Sequence, residues 1–69
     1  MINETERRVR TAAQIANYGG HLGLLPYQID QAVLTGISHL DDGKSGARAY
    51  AAGRKVVDQF VQKQYRLRA

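Results

Sequence analysis

The sequence predicts an all-α protein, a small three-helix domain whose C-terminal helix is the longest. Three observations favour this fold class. Apolar residues recur at three- and four-residue steps. Short glycine-containing breaks separate these segments, and the single proline stands where a helix can begin. Because the chain has 69 residues and no recognisable linker, we interpret residues 1–69 as one domain.

The first helix is predicted over residues 3–18, where alanine, glutamine and arginine favour helix formation. Asn3 followed three residues later by Glu6 resembles a capping box, and acids in the first turn suit the helix dipole. We expect the helix to end at Gly19 and Gly20, with the first glycine in the left-handed conformation. Its predicted apolar face consists of Ile2, Val9, Ala13 and Ala16.

The second helix is predicted over residues 26–39, beginning at Pro26, whose fixed φ and missing N–H suit a first helical position. The connector before it, residues 20–25, contains three leucines, which either tuck under the helices or face a partner. Asp41 to Lys44 then form a turn. The apolar positions of this helix are Ile29, Val33, Ile37 and Leu40.

The third helix is predicted over residues 45–67, with Ser45 as one candidate cap and an acid of the preceding turn as the other. Its apolar stripe is wider than one partner helix would cover. The stripe comprises Ala49, Gly53, Val56, Phe60 and Leu67, with Tyr50, Val57, Val61 and Tyr65 beside them. Small residues in its first half permit close approach, either by another helix of the same chain or by the same helix of a second subunit.

Chain length favours the second subunit as a source of stability. A chain this short buries only about 60% of the surface that its unfolded form exposes. It contains no cysteine, so neither a disulfide nor a thiolate zinc site can add stability. We therefore expect a helical homodimer, with an interface formed by Ala49, Gly53, Val56 and Phe60.

The net charge of +4 is concentrated in the third helix, since residues 45–69 hold six lysines and arginines against one aspartate. Such a surface can contact phosphates, or it can simply be solvated. A helix-turn-helix spanning residues 12–34 fits poorly. The turn is too long, and the second helix carries no arginine or lysine to reach a base edge.

Nothing in the sequence indicates catalysis, a cofactor or a metal, and we expect a protein that is not an enzyme. His21, His39, Asp41 and Asp42 form the one metal-like set, without a zinc-binding spacing. No run of about 18 apolar residues is present, and the N-terminus lacks the pattern of a signal peptide. The expected location is therefore the cytoplasm, away from the membrane.

The leading functional hypothesis is a small regulatory protein that binds another protein, such as a transcription factor or a host enzyme, and modulates or inhibits it. Inhibitors and anti-activators encoded by phages and mobile elements are often of this size. The connector and its neighbours are predicted to form an apolar patch of Tyr18, His21, Leu22, Leu24, Leu25 and Tyr27. The predicted partner-binding residues are Tyr27, Leu24, Arg48, Arg54 and Lys55. The alternative is a small basic DNA- or RNA-binding regulator that uses the C-terminal helix.

Overall fold

The computed structural model describes residues 3–68 and shows three helices. Helix α1 spans Glu4–His21, α2 spans Pro26–Asp41 and α3 spans Gly46–Arg68. Each helix packs against the other two. The predicted all-α fold with a long third helix is confirmed. At 23 residues, α3 is seven longer than the 16-residue α2 against which it packs, so it extends beyond that helix.

The helix starts follow the predicted caps. The Glu6 N–H donates to Asn3 Oδ1 at 2.8 Å, and the Arg48 N–H donates to Ser45 Oγ at 3.2 Å. These bonds satisfy amides that have no partner within a first helical turn. Pro26 is the first residue of α2, as predicted.

The predicted end of the first helix is wrong, because α1 continues through both glycines to His21. The left-handed residue is Gly23, with φ +79°, and the N–H of Leu24 donates to the carbonyl of Gly19 at 3.1 Å. This is the Schellman arrangement. Gly19 stays helical where a side chain would be crowded, since an added Cβ would lie 3.2 Å from Ile29 Cγ1. The end of α2 is built in the same way around Gly43, with φ +85°.

Ile15 is the centre of the core and is fully buried. A methyl group added at Gly36 of α2 would overlap Ile15 Cδ1 and lie 3.1 Å from the carbonyl oxygen of Ala49. A methyl group at Gly53 of α3 would also overlap Ile15 Cδ1, and it would lie 3.1 Å from the carbonyl oxygen of Ala32. Helices α2 and α3 therefore cross at these small residues, and Ile15 of α1 fills the notch between them.

The predicted apolar face of α1 is wrong at Val9 and Ala13, while the predicted Ala16 is partly buried. Val9 is 63% exposed and Ala13 is exposed, whereas Thr11, Ile15 and Gly19 are buried. Ile2 lies outside the described residues. The notch between Gly36 and Gly53 selects the buried face, and this notch is invisible in the periodicity of α1 alone.

The buried face of α2 is rotated slightly from the predicted one. Its buried positions are Gln28, Ala32, Gly36 and Leu40, and the predicted Ile29, Val33 and Ile37 lie beside them, partly buried. Helices α2 and α3 are closest at the middle of this face, where the small residues Ala32 and Gly36 permit the approach.

The small residues of α3 make their close contact within the chain. Ala49 and Gly53 are buried against α1 and α2, and Val56 and Phe60 are partly buried around the core. The helices that approach these small residues closely are therefore α1 and α2 of the same chain. A homodimer stays a prediction, and in this fold its interface would have to use surface other than Ala49 and Gly53.

Candidate partner-binding surfaces

One end of the bundle carries a groove between the α1–α2 connector and the last turns of α3, with a lining of both apolar and polar groups. The groove has a volume of about 170 Å³ and is lined by Leu22, Val61, Gln64 and Tyr65. Leu22 is 42% exposed and Tyr65 is 74% exposed. Because α3 is longer than α2, its last turns are only partly covered, with Val61 and Gln64 partly buried and Tyr65 exposed.

Gln28 fixes the walls of this groove. It is buried, and its Oε1 accepts the N–H of Leu25 at 2.9 Å and Nε2 of Gln64 at 3.5 Å. One side chain therefore joins the connector, the start of α2 and α3. Leu25, held beside the groove through its amide, exposes 53% of its surface. We call Leu22, Leu25, Val61 and Tyr65 the connector patch.

The predicted apolar patch is partly corrected by the structure. Leu24 is buried in the core, with its Cδ2 3.8 Å from the position of a Cβ on Gly19, so it is not accessible to a partner. Tyr18 is partly buried. Tyr27 does lie at the surface, 58% exposed, on the outer face of α2 with Leu34.

Sequence reasoning placed Tyr65 in the core and missed its exposure. The signal was available in the predicted lengths, because the third helix was longer than the second. When a helix is longer than the helix beside it, apolar residues in its last turn, such as Tyr65, are left at the surface.

Arg54, a predicted partner-binding residue, is engaged within the chain. Its guanidinium carbon lies 4.7 Å from the centroid of the Tyr18 ring, a cation–π geometry. The Tyr18 hydroxyl donates to Asp58 Oδ1 at 2.6 Å. That hydrogen bond raises the pKa of Tyr18, because the neutral phenol is the form that donates. Both Arg54 and Asp58 thus bind Tyr18.

The outer face of α3 is basic along most of the helix. Residues 48, 55, 59, 62 and 66 are separated by steps of seven, four, three and four, which keeps them on one side. All are exposed, as is Lys63 beside them. We call this face the basic stripe, and it consists of Arg48, Lys55, Gln59, Gln62, Lys63 and Arg66.

The basic stripe contains no carboxylate. Asp58, the acid of α3, is turned to Tyr18 on the flank of the helix. Among residues 3–68, the ion pair of the structure joins Arg8 to Asp41, on α1 and α2. Within that range, no carboxylate neutralises the lysines and arginines of the stripe.

The predicted metal-like residues take structural roles or stay apart. His39 Nδ1 lies 2.9 Å from the carbonyl oxygen of Thr35, and Asp41 pairs with Arg8. Within residues 3–68, no three side chains of histidine, cysteine, aspartate or glutamate are grouped to hold a metal ion. No helix in this part of the chain has the length and apolar character needed to cross a bilayer.

Comparisons of the chain with models of protein families, with curated proteins and with solved structures found no match.

Proposed function

We propose that the protein is a small non-catalytic regulator that binds another protein through the connector patch and thereby modulates or inhibits it. The observation that carries the proposal is the exposure of Leu22, Leu25 and Tyr65 at one end of a hydrogen-bonded scaffold. Contiguous exposed apolar groups with a polar rim are typical of protein-binding sites. Tyrosine is also among the residues that dominate binding energy.

The size of the patch fits the central part of an interface. Complete burial of one leucine side chain stabilises a complex by about 1.5–3 kcal/mol before the costs of association. A standard interface covers about 800 Å² on each partner, roughly a sixth of this chain's 5027 Å². The connector patch would supply the apolar centre, and Gln64 would supply part of the polar rim.

The proposed contact set is narrower than the predicted one. Tyr27 remains in it as an exposed residue close in sequence to Leu25. Arg48 lies 17 residues before Tyr65 on the same helix, about 25 Å away at 1.5 Å per residue. A partner seated on the connector patch would have to extend along α3 to contact both residues.

Occlusion is the proposed mechanism, in which the rigid end of the bundle covers an apolar groove of its target. The target class, a transcription factor or a host enzyme, is a proposal carried over from the sequence reasoning. Origin from a phage or another mobile element, a homodimeric state and a cytoplasmic location are proposals on the same basis.

Affinity purification of the tagged chain from a lysate of its source organism, with nuclease present, tests this function. When the tagged chain has its natural sequence, we expect it to recover one stoichiometric protein partner. The double variant Leu22→Ser with Tyr65→Ser should reduce its recovery at least about tenfold, since two leucine-sized anchors are lost. The matched control is Val9→Ser, which removes a 63% exposed apolar side chain from α1 and should leave recovery unchanged.

Circular dichroism must show that all three chains retain their helical content. Equal recovery of the partner by the natural sequence and the double variant would contradict a role for the connector patch. Recovery that disappears on nuclease treatment would contradict the protein-binding function itself.

A further inference from the structure

We infer that the basic stripe of α3 is a second binding surface, and that it binds duplex DNA of B form, with the helix lying in the major groove. This inference uses a different face from the connector patch and goes beyond the proposed function. The stripe is solvent-exposed, cationic and free of acids within the described residues.

The dimensions of the stripe match the groove. From Arg48 to Arg66 the helix rises about 27 Å, at 1.5 Å per residue, so its middle can lie in the groove while its two ends reach phosphates on either side. The major groove of B-DNA is about 12 Å wide and admits an α-helix. The other two helices pack on the opposite side of α3, so they leave this face free to enter the groove.

The side chains of the stripe suit a polyanion with polar base edges. Arg48, Lys55, Lys63 and Arg66 provide four cations for phosphates, and the two glutamines can donate to and accept from base edges or phosphates. Between the first two cations stand Ala51, which is exposed, and Ala52, which is partly buried. These short side chains permit close approach of the helix to the groove.

Other anionic partners fit the stripe less well. Binding in the interface of a membrane requires large apolar residues beside the basic ones, and the stripe has only alanines. An acidic protein would be expected to use apolar or aromatic anchors, which this face also lacks. The deep, narrow major groove of A-form RNA does not admit side chains, so the inference is specific to B-form DNA.

Fluorescence anisotropy with a labelled DNA duplex of about 21 base pairs tests the inference. Four phosphate contacts predict that log K falls with log salt concentration at a slope of about −3.6. Between about 50 and 200 mM salt, this slope corresponds to an affinity loss of about 150-fold.

A charge-matched pair of variants separates the stripe from overall charge. Arg48→Glu with Lys55→Glu should lower affinity at least about tenfold and reduce the slope to about −1.8, because two of four contacts are lost. The control, Arg10→Glu with Lys44→Glu, makes the same change in net charge at exposed positions outside the stripe. It should bind within about threefold of the natural sequence, since exposed charges that make no phosphate contact are weakened by salt screening.

Absence of binding at low salt would overturn the inference, as would equal weakening by the two double variants. Tighter binding to an RNA duplex, or binding to anionic vesicles without binding to DNA, would overturn the assignment to B-form DNA. The Leu22→Ser with Tyr65→Ser variant should retain DNA binding. A failure of the stripe is therefore distinguishable from a failure of the connector patch.

Discussion

Replacement of Gly36 by alanine should destabilise the protein, although alanine is the better helix former. The added methyl group would overlap Ile15 Cδ1 and lie 3.1 Å from the backbone oxygen of Ala49. Ile15 cannot swing aside, since it is fully buried and its Cδ1 is also held against Gly53. Relief would require α2 and α3 to move apart.

The magnitude follows from two opposing effects. Overpacking of a core costs about 1–3 kcal/mol, and the change from glycine to alanine within a helix gains about 1 kcal/mol. We expect a net loss of about 1 kcal/mol in the free energy of unfolding, which lowers the melting temperature by about 4–8 °C for a domain of this size. Urea unfolding followed by circular dichroism measures it.

A double-mutant cycle identifies the cause. Ile15→Val removes Cδ1 and alone should cost about 0.5–1.5 kcal/mol. In the Gly36→Ala background the same change should cost nothing or stabilise, giving a coupling of about 1 kcal/mol or more. The matched control is Gly20→Ala in α1, where no atom lies within 4 Å of the added methyl group. This control should stabilise by about 0.4–1 kcal/mol.

Two outcomes would refute the claim that Ile15 fills the notch between Gly36 and Gly53. One is a Gly36→Ala variant that is stabilised as much as the Gly20→Ala control. The other is an identical cost of Ile15→Val with and without alanine at position 36.

Two further predictions concern the end of α1 and the Tyr18 hydroxyl. Gly23→Ala should destabilise by about 1–2 kcal/mol in urea unfolding, because φ there is +79°; an unchanged midpoint would contradict the left-handed cap. The raised pKa of Tyr18 means that its hydrogen bond to Asp58 stabilises the fold below the ordinary pKa of 10.0, and this contribution is lost as pH rises through the folded-state pKa. Tyr18→Phe should therefore weaken the alkaline loss of stability, and ultraviolet titration should show a tyrosine that ionises late only in the natural chain.

The positions of the helices were largely predictable because their signals are local. The side chains of Asn3 and Ser45 accept amide N–H groups at helix starts, and Pro26 has no N–H that needs a partner there. These effects depend on neighbouring residues alone. The end of α1 was not predictable in this way. Gly19, Gly20 and Gly23 all permit a left-handed turn, and of these three Gly23 adopts it, while Gly19 packs beside Ile29 within the helix.

The two candidate surfaces also differ in how far the sequence predicts them. The basic stripe follows from the sequence once α3 is known to be helical, because side-chain spacing places its residues on one face. The connector patch cannot be predicted from the sequence in this way, because it depends on which connector leucine points into the core. Leu24 fills space beside Gly19, so Leu22 and Leu25 are left outside. Likewise, the four-residue spacing of Arg54 and Asp58 permits an ion pair between them, whereas in the structure both contact Tyr18 of α1.

By itself, the sequence determined that this chain forms three helices, where they begin, and that the last is long and basic. These properties come from caps, from proline and from periodicity, which act over a few residues. The tertiary structure alone decided that Ile15 is the centre of the core and that Gly36 and Gly53 receive it. It also decided which of the connector leucines is buried. The physical reason is that burial depends on the shape of the neighbouring helix, and residues far apart in the chain define that shape.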